Sequence, residues 1–305
     1  MKQVLVVWVM LAAAMCAAAD AKKTQVSTKP LPTTTPRVNS ARAMQYTREV
    51  TAIGVRQIGS PGHKKTEDYI REHLKGDNVE EDVFTAQTPV GAIQCRNFIA
   101  KYPGTKDGII VISGHYDTNY GLKGYVGAND GGSSTGLLLE LANQFRGKKL
   151  EGYSVWLVWF DAEEAVKDWT ATDGLYGSRH LANKWRQEGM LTKIKAHMLL
   201  DMIGDADLNI DQETNSTSWL QNLVYEAATK LGYQSYFFGR SLAIDDDHIP
   251  FVQLGVPSVD IIDMNYGPND SYHHTPKDTI DKVSAKSLGI VGDTVLETVK
   301  MLNSR

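Results

Sequence analysis

Acidic side chains that could bind a metal or move protons follow a strongly apolar segment near the middle of the chain. Residues 153–160 are apolar on both alternating faces, and Asp161, Glu163 and Glu164 come directly after them. Such a run is typical of a strand buried on both sides of a sheet. In open α/β sheets, ligands bind beyond the carboxyl ends of the strands. The position of these acids indicates a functional site, although an isolated Glu-Glu pair is also common in solvated loops.

Similar groups stand at the ends of other predicted elements. They are His115 and Asp117, Asp130, Asp201, and the pair His273 and His274. Taken singly, each has an ordinary explanation as a helix cap, a turn acid or an exposed loop histidine. Together at one edge of a sheet, the carboxylates would repel one another unless a cation were present. Nitrogen and oxygen ligands without thiolate suit zinc in an open, catalytic site.

The elements that would position these groups alternate along the chain. Predicted strands occupy residues 79–85, 92–102, 108–113, 153–160, 196–203 and 258–262. Predicted helices occupy residues 41–53, 63–75, 134–145, 178–185, 218–231 and 284–302. This order predicts an α/β three-layer sandwich, in which helices cover a mixed, mostly parallel central sheet. The first two strands flank a turn at residues 89–91 and are expected to form an antiparallel pair at one edge.

The first 39 residues differ in composition from the rest of the chain. Residues 1–21 combine a basic start, an apolar run and small residues with an A-x-A pattern, which is typical of a cleaved signal peptide and predicts export to the periplasm or outside the cell. Lipid attachment at Cys16 is disfavoured by the bulky Met15 before it. Residues 22–39 are rich in Thr, Pro and Lys, as in a linker. We expect one catalytic domain at residues 40–305.

Length and charge exclude some classes of function. A chain of 305 residues can bury one large core, and its net charge of −4 offers no basic surface for nucleic acid. Cys95 is the only cysteine expected after signal cleavage, so no internal disulfide is predicted. We expect a monomer with no stable membrane insertion after the signal is removed.

The order of five motifs carries a family resemblance. GHYD at residues 114–117, Asn129-Asp130, Glu163-Glu164, LLDMIG at residues 199–204 and HHTPKDT at residues 273–279 resemble the metal-site motifs of the M28 zinc aminopeptidases and of their relatives, the animal-type glutaminyl cyclases. The resemblance runs from about Arg42 onward and implies a zinc-exopeptidase-like fold.

The resemblance also implies roles for individual residues. The implied zinc ligands, common to both branches, are Asp130, Glu164 and His274. Glu163 would be the general acid/base. In an aminopeptidase, His115 and Asp201 would bind a second zinc.

Two segments away from the ligands resemble the cyclases. Residues 165–176 lengthen the connection after the Glu-Glu pair, and their tryptophan matches one that cyclases place in the substrate pocket. Residues 245–251, DDDHIPF, resemble the cyclase motif DDHIPF. The implied residues of the acid network and of substrate binding are Trp169, Asp201, Asp246, His248 and Phe251.

Three shorter features are closer to the aminopeptidases. GGSS at residues 131–134 and TPKDT at residues 275–279 have the aminopeptidase form, and His273 stands where animal cyclases have a tryptophan. The long matched insertion is harder to reach by chance than these loop variants, so the cyclase branch is favoured.

The favoured branch implies a zinc-dependent glutaminyl-peptide cyclotransferase, which converts the N-terminal glutamine of peptides or proteins to pyroglutamate with release of ammonia. One zinc ion is expected. The alternative is an M28 zinc aminopeptidase with two zinc ions. A third class, a binding domain of this fold without metal, is disfavoured because every expected ligand is present.

Overall fold

The computed structural model describes residues 37–305, and the predicted signal peptide and most of the predicted linker lie outside these residues. The helices in this range are α1 (Ser40–Ala52), α2 (Pro61–His73), α3 (Gly132–Phe145), α4 (Tyr176–Gln187), α5 (Ser218–Leu231), α6 (Ile249–Gln253) and α7 (Ala285–Asn303). The strands are β1 (Val79–Thr88), β2 (Gly91–Tyr102), β3 (Gly104–His115), β4 (Leu150–Phe160), β5 (Ile194–Asp201), β6 (Ile210–Glu213), β7 (Phe237–Leu242) and β8 (Ser258–Ile262). None of these helices combines the length and apolarity needed to cross a bilayer.

Six strands form the central sheet in the order β1-β2-β4-β3-β5-β8. β4, β3, β5 and β8 are mutually parallel, and β1 and β2 form an antiparallel pair at one edge. In the register, His115 pairs with Phe160 and Asp201 pairs with Ile262. The mostly parallel sheet and its antiparallel edge are therefore confirmed, and the carboxyl ends of the central strands lie at one edge.

Both faces of the sheet are buried. Along β3, Ile110 and Ile112 pack toward α1, α2, α3, α5 and α7, whereas Ile109 and Val111 pack toward α4 and α6. Since neighbouring side chains on a strand point to opposite faces, a continuous apolar run is what two covering layers require. This confirms the three-layer arrangement.

Helix α3 is held close to α1 by a glycine. A Cβ atom at Gly136 would lie 2.2 Å from Thr47 Oγ1, so only glycine allows the two backbones to approach this closely. The contact fixes the start of α3, which follows directly after Asp130.

Strands β6 and β7 form a separate parallel pair that the sequence pattern did not predict, because β6 has four residues and two of them are the buried acids Asp211 and Glu213. Val38, which lies within the predicted linker, is buried, and its backbone N–H donates to Asp293.

Candidate active site

Three buried side chains meet at the ends of β3 and β5. The Nε2 atom of His115 lies 3.0 Å from Asp130 Oδ1 and 3.2 Å from Asp201 Oδ1. Asp130 is brought there by Gly131, which has φ of 72° and whose Cβ position would be 2.6 Å from the carbonyl oxygen of Asp117. The sheet therefore brings together three residues that are far apart in sequence.

The Glu-Glu pair lies on a tight turn after β4. The backbone N–H groups of Glu163 and Glu164 donate to the two oxygens of the buried Asp117 carboxylate, at 3.1 and 3.3 Å. Ala162, just before them, has φ of 55°, a left-handed conformation that residues with a Cβ atom rarely adopt. The turn fixes the backbone from which both glutamate side chains project.

His274 joins two of the carboxylates. Its Nε2 atom lies 3.2 Å from Glu164 Oε2 and 3.4 Å from Asp130 Oδ2. Asn119 donates to Glu164 Oε2 at 2.9 Å, and the Tyr125 hydroxyl donates to Asp130 Oδ2. The carboxylates of Asp130 and Glu164 thus both lie beside the imidazole of His274. These are the three side chains predicted as common zinc ligands.

The donor atoms fit a divalent cation. Glu164 Oε1 is buried without a hydrogen-bond partner, which is costly unless another group satisfies it. The ligand atoms of Asp130 and His274 also lie within 4.8 Å of a ring nitrogen of His273, which the sequence had grouped with His274. His115, Asp130 and Asp201 form a second such group. The geometry therefore accommodates a metal at Asp130 and retains the residues for a second one.

Asp278 connects the two loops that carry Asp130 and His274. Its carboxylate accepts hydrogen bonds from the backbone N–H groups of Asn129, at 2.8 Å, and of Asp130, at 3.1 Å, and from the Tyr266 hydroxyl at 2.7 Å. Sequence reasoning gave Asp278 no role, although it lies within the HHTPKDT motif. The spacing of residues in the sequence does not indicate which side chain accepts hydrogen bonds from the backbone of a distant loop.

Burial and charge shift the pKa values of Glu163 and Asp130 in opposite directions. Burial raises the pKa of Glu163 well above its usual value, and repulsion from Glu164 and Asp246 adds to this against the attraction of His115. For Asp130, burial also acts upward, but hydrogen bonds to His115 and His274 hold its pKa well below the usual range. Asp130 therefore suits a metal ligand, and Glu163 suits a proton carrier.

A pocket of 290 Å³ opens beside these groups. It is lined by Asp130, Glu163, Glu164, Trp169, Asp201, Met202, Ile244, Asp245, Asp246, Ile262, Met264, His273 and His274. Trp169, which is 43% exposed, is one of these lining residues. The pocket combines an apolar wall with the convergent acids, as small-ligand sites generally do.

Asp246 lies in the lining together with Asp201. Burial raises its pKa well above the usual value, and repulsion from Asp201 and Asp247 acts in the same direction. Repulsion between buried carboxyls opposes ionisation of both, so Asp246 favours its protonated form beside Asp201.

His248 and Phe251 do not reach the pocket, which corrects their predicted contact with substrate. His248 is fully buried, with Nε2 3.0 Å from Glu213 Oε2. Phe251 packs in the core beneath α4, against Phe160 and Trp185. His248 precedes the short helix α6 and Phe251 lies within it, so both follow the loop that carries Asp246 and neither lies on the pocket surface.

We expect Glu213→Gln to destabilise the protein at neutral pH but progressively less in acid. Burial acts to raise the pKa of Glu213, but hydrogen bonds from His248 and from the Asn215 backbone lower it from 4.5 to about 2. A depressed pKa stabilises the fold above the unfolded-state value, and that stability is lost as pH falls through the folded-state value. Melting temperatures from pH 7 to 2 should show the two proteins converging below about pH 4.5. The exposed Glu226→Gln is the control, and a pH-independent difference would contradict the argument.

Comparisons with known proteins agree with this geometry. A family model described as Peptidase family M28 matches residues 97–299. A glutaminyl-peptide cyclotransferase of Drosophila melanogaster is 31% identical over 268 residues, covering 77% of this chain and 75% of the relative. The same named activity is carried by a relative from Boiga irregularis, 30% identical over 75% of this chain and 74% of its own.

Solved structures are similar over most of the chain. A glutaminyl cyclase from an Acidobacteriales bacterium has a TM-score of 0.88 and 50% identity, covering 90% of this chain and 98% of that one. A structure from Bacteroides thetaiotaomicron described as a leucine aminopeptidase precursor has a TM-score of 0.76 and 25% identity, covering 87% of this chain and 98% of that one. The fold is thus shared by proteins named after both activities.

Proposed function

The chain belongs to peptidase family M28 and, within it, to the glutaminyl-peptide cyclotransferases, and from this premise we propose that it closes the N-terminal glutamine of peptides to pyroglutamate with release of ammonia. The observation that carries the proposal is the pocket. Trp169, Glu163, Asp201 and Asp246 line one cavity of 290 Å³, which supports the roles proposed for them below.

We assign the metal ligands to Asp130, Glu164 and His274. Zinc bound there would polarise the side-chain amide and stabilise the negative charge that develops on its oxygen. One zinc ion per chain is proposed, because Asp201 then remains available to Asp246.

The reaction is intramolecular, so holding the amine close to the amide carbon accounts for much of the rate acceleration. The α-amino nitrogen of glutamine forms a bond to its own side-chain amide carbon, and the bond from that carbon to the amide nitrogen breaks. Glu163 takes a proton from the attacking amine and returns it to the departing nitrogen, which leaves as ammonia. A carboxyl with a raised pKa can both accept and donate that proton near neutral pH.

Two further groups hold the substrate. The shared proton of Asp201 and Asp246 provides a donor and an acceptor at the pocket wall, where the amide nitrogen can be oriented before it leaves. Trp169 provides an apolar surface for the methylene groups of glutamine. We further propose that the enzyme acts as a monomer on exported peptides and protein N-termini, in the periplasm or outside the cell.

An aminopeptidase is the second candidate, because His115, Asp130 and Asp201 place their ligand atoms within 4.8 Å of one another, as a second metal would need. In that case Glu163 would activate water to cut the first peptide bond.

Mass spectrometry of a glutamine-initiated peptide, incubated with the purified zinc-loaded protein, tests both candidates. Loss of ammonia from an otherwise intact peptide, faster than the spontaneous reaction and blocked by a chelator, is expected, with about one zinc per chain. Free glutamine and a shortened peptide, with two firmly bound zinc ions, would overturn the cyclase proposal in favour of the aminopeptidase.

A further inference from the structure

A buried histidine on α2 contacts the acid that precedes the Glu-Glu turn. The Nε2 atom of His63 lies 2.7 Å from Asp161 Oδ1. His63 is 3% exposed and Asp161 is fully buried, and neither lines the pocket. The function proposed above does not use this pair.

Asp161 is fixed on its other sides by the neighbouring strand. Its Oδ2 atom accepts from the Arg96 backbone N–H at 2.7 Å, and its own N–H donates to Asn97 Oδ1 at 3.0 Å. The His63 ring is stacked on Tyr116, with centroids 5.5 Å apart and an angle of 12° between the planes. The contact thus joins α2 to the middle of β2 and to the carboxyl ends of β3 and β4.

The residue after Asp161 is Ala162, whose φ of 55° is unfavourable for any residue with a Cβ atom. A conformation of this kind persists only where the surroundings enforce it. On the downstream side, the Glu163 and Glu164 N–H groups are held by Asp117, and the Ala162 carbonyl accepts from Tyr176 at 2.9 Å. On the upstream side, Asp161 is the anchor.

A metal ion is a poorer explanation of this cluster. His63, Glu67 and Asp161 place potential ligand atoms within 4.8 Å of one another. However, Glu67 Oε2 is already 3.0 Å from Lys64 Nζ and 3.6 Å from Arg96 Nε, so cationic side chains occupy its surroundings. Both carboxylate oxygens of Asp161 already take part in the hydrogen bonds described above, to His63 and to the Arg96 backbone N–H.

We propose that His63 is a positioning residue, which through Asp161 holds the strained turn at Ala162 and thereby sets the positions of Glu163 and Glu164. For the reaction itself the inference rests on the proposed function, but its effect on metal binding does not. Loss of the contact would move the proton carrier and a metal ligand together.

The test compares His63→Phe, which keeps the ring and loses the hydrogen bond, with His63→Gln, whose amide nitrogen can approach the position of Nε2. We expect His63→Phe to weaken zinc binding about 10- to 100-fold, as loss of outer-shell partners typically does, and to lower kcat more than it raises KM. His63→Gln should recover most of both. His73→Phe, on the same helix but far from the turn, is the control and should change neither. Zinc affinity is measured by competition with a chromophoric chelator, well below the melting temperature of each variant.

A role in stability alone gives a different result. In that case His63→Phe would lower the melting temperature but leave zinc affinity and kcat unchanged in the folded protein, and the proposal would be overturned. If the wild type forms no pyroglutamate, a fall in zinc affinity in His63→Phe still supports the positioning role while the cyclase proposal fails.

Ala162→Gly provides an independent readout through a double-mutant cycle. Glycine adopts the left-handed conformation without cost, so the turn no longer depends on the anchor. We expect His63→Phe to weaken zinc binding several-fold less in the Ala162→Gly background than in the wild type. Equal effects in both backgrounds would show that His63 does not act through the strained turn.

Discussion

Glu163→Gln is expected to lower kcat by about 10²- to 10⁴-fold while leaving the metal bound, because the change removes the proton carrier and retains its shape. Glu163 is buried, its pKa is raised chiefly by burial, and its backbone is held by Asp117 rather than by its own carboxyl. Initial rates on a glutamine-initiated peptide, with zinc content per chain, measure both outcomes.

The exposed Glu72→Gln is the matched control and should leave kcat unchanged. Turnover by Glu163→Gln near the wild-type rate would remove the assigned role. Loss of zinc together with activity would instead identify Glu163 as a ligand.

His274→Ala is expected to weaken zinc binding by more than the roughly 10- to 100-fold that follows loss of an outer-shell partner, and to abolish activity at low zinc. The Nε2 atom of His274 lies within 3.4 Å of both the Asp130 and the Glu164 carboxylates. Its side chain is 37% exposed, so truncation should disturb folding little, and melting of the metal-free protein provides the check.

His273→Ala is the paired variant, because the two rings lie 4.0 Å apart and only His274 contacts both carboxylates. It should keep its zinc and change KM through the pocket wall. Loss of zinc in His273→Ala, with retention in His274→Ala, would exchange the two assignments.

The sequence predicted the sheet and the gathering of polar groups because both depend on local patterns. A run such as residues 153–160, apolar on both faces, requires a buried parallel strand, and parallel strands end at one edge. Given that, the meeting of His115, Asp130 and Asp201 follows from the order of the strands.

The parts that were missed depend on long-range contacts. Asp278 acts through backbone N–H groups about 150 residues earlier in the chain, as the separations of 149 and 148 show. A histidine is a common substrate-binding residue, but the His248 ring contacts the buried Glu213, which lies 35 residues earlier in the chain. The strain at Ala162 cannot be predicted from the sequence either, because alanine is compatible with most backbone conformations and only the observed φ of 55° reveals the strain.

The choice between cyclase and aminopeptidase could not be made from the ligands at all. His115 and Asp201 are close enough to share a second metal with Asp130, and Asp201 also lines the pocket together with Asp246. The discriminating features are the wall segments, of which Trp169 is the clearest.

The positions of the proposed ligands along the chain also determine when during synthesis a metal site could form. Asp130 and Glu164 come from loops after β3 and β4, whereas His274 follows all eight described strands in the sequence. A chain emerging amino end first therefore presents two of the three proposed ligands well before the third. Such long sequence separations make the arrangement slow to assemble, and a site whose ligands are not yet gathered binds metal weakly. With the proposed ligands, zinc would therefore bind the nearly complete fold and would not guide the early steps of folding.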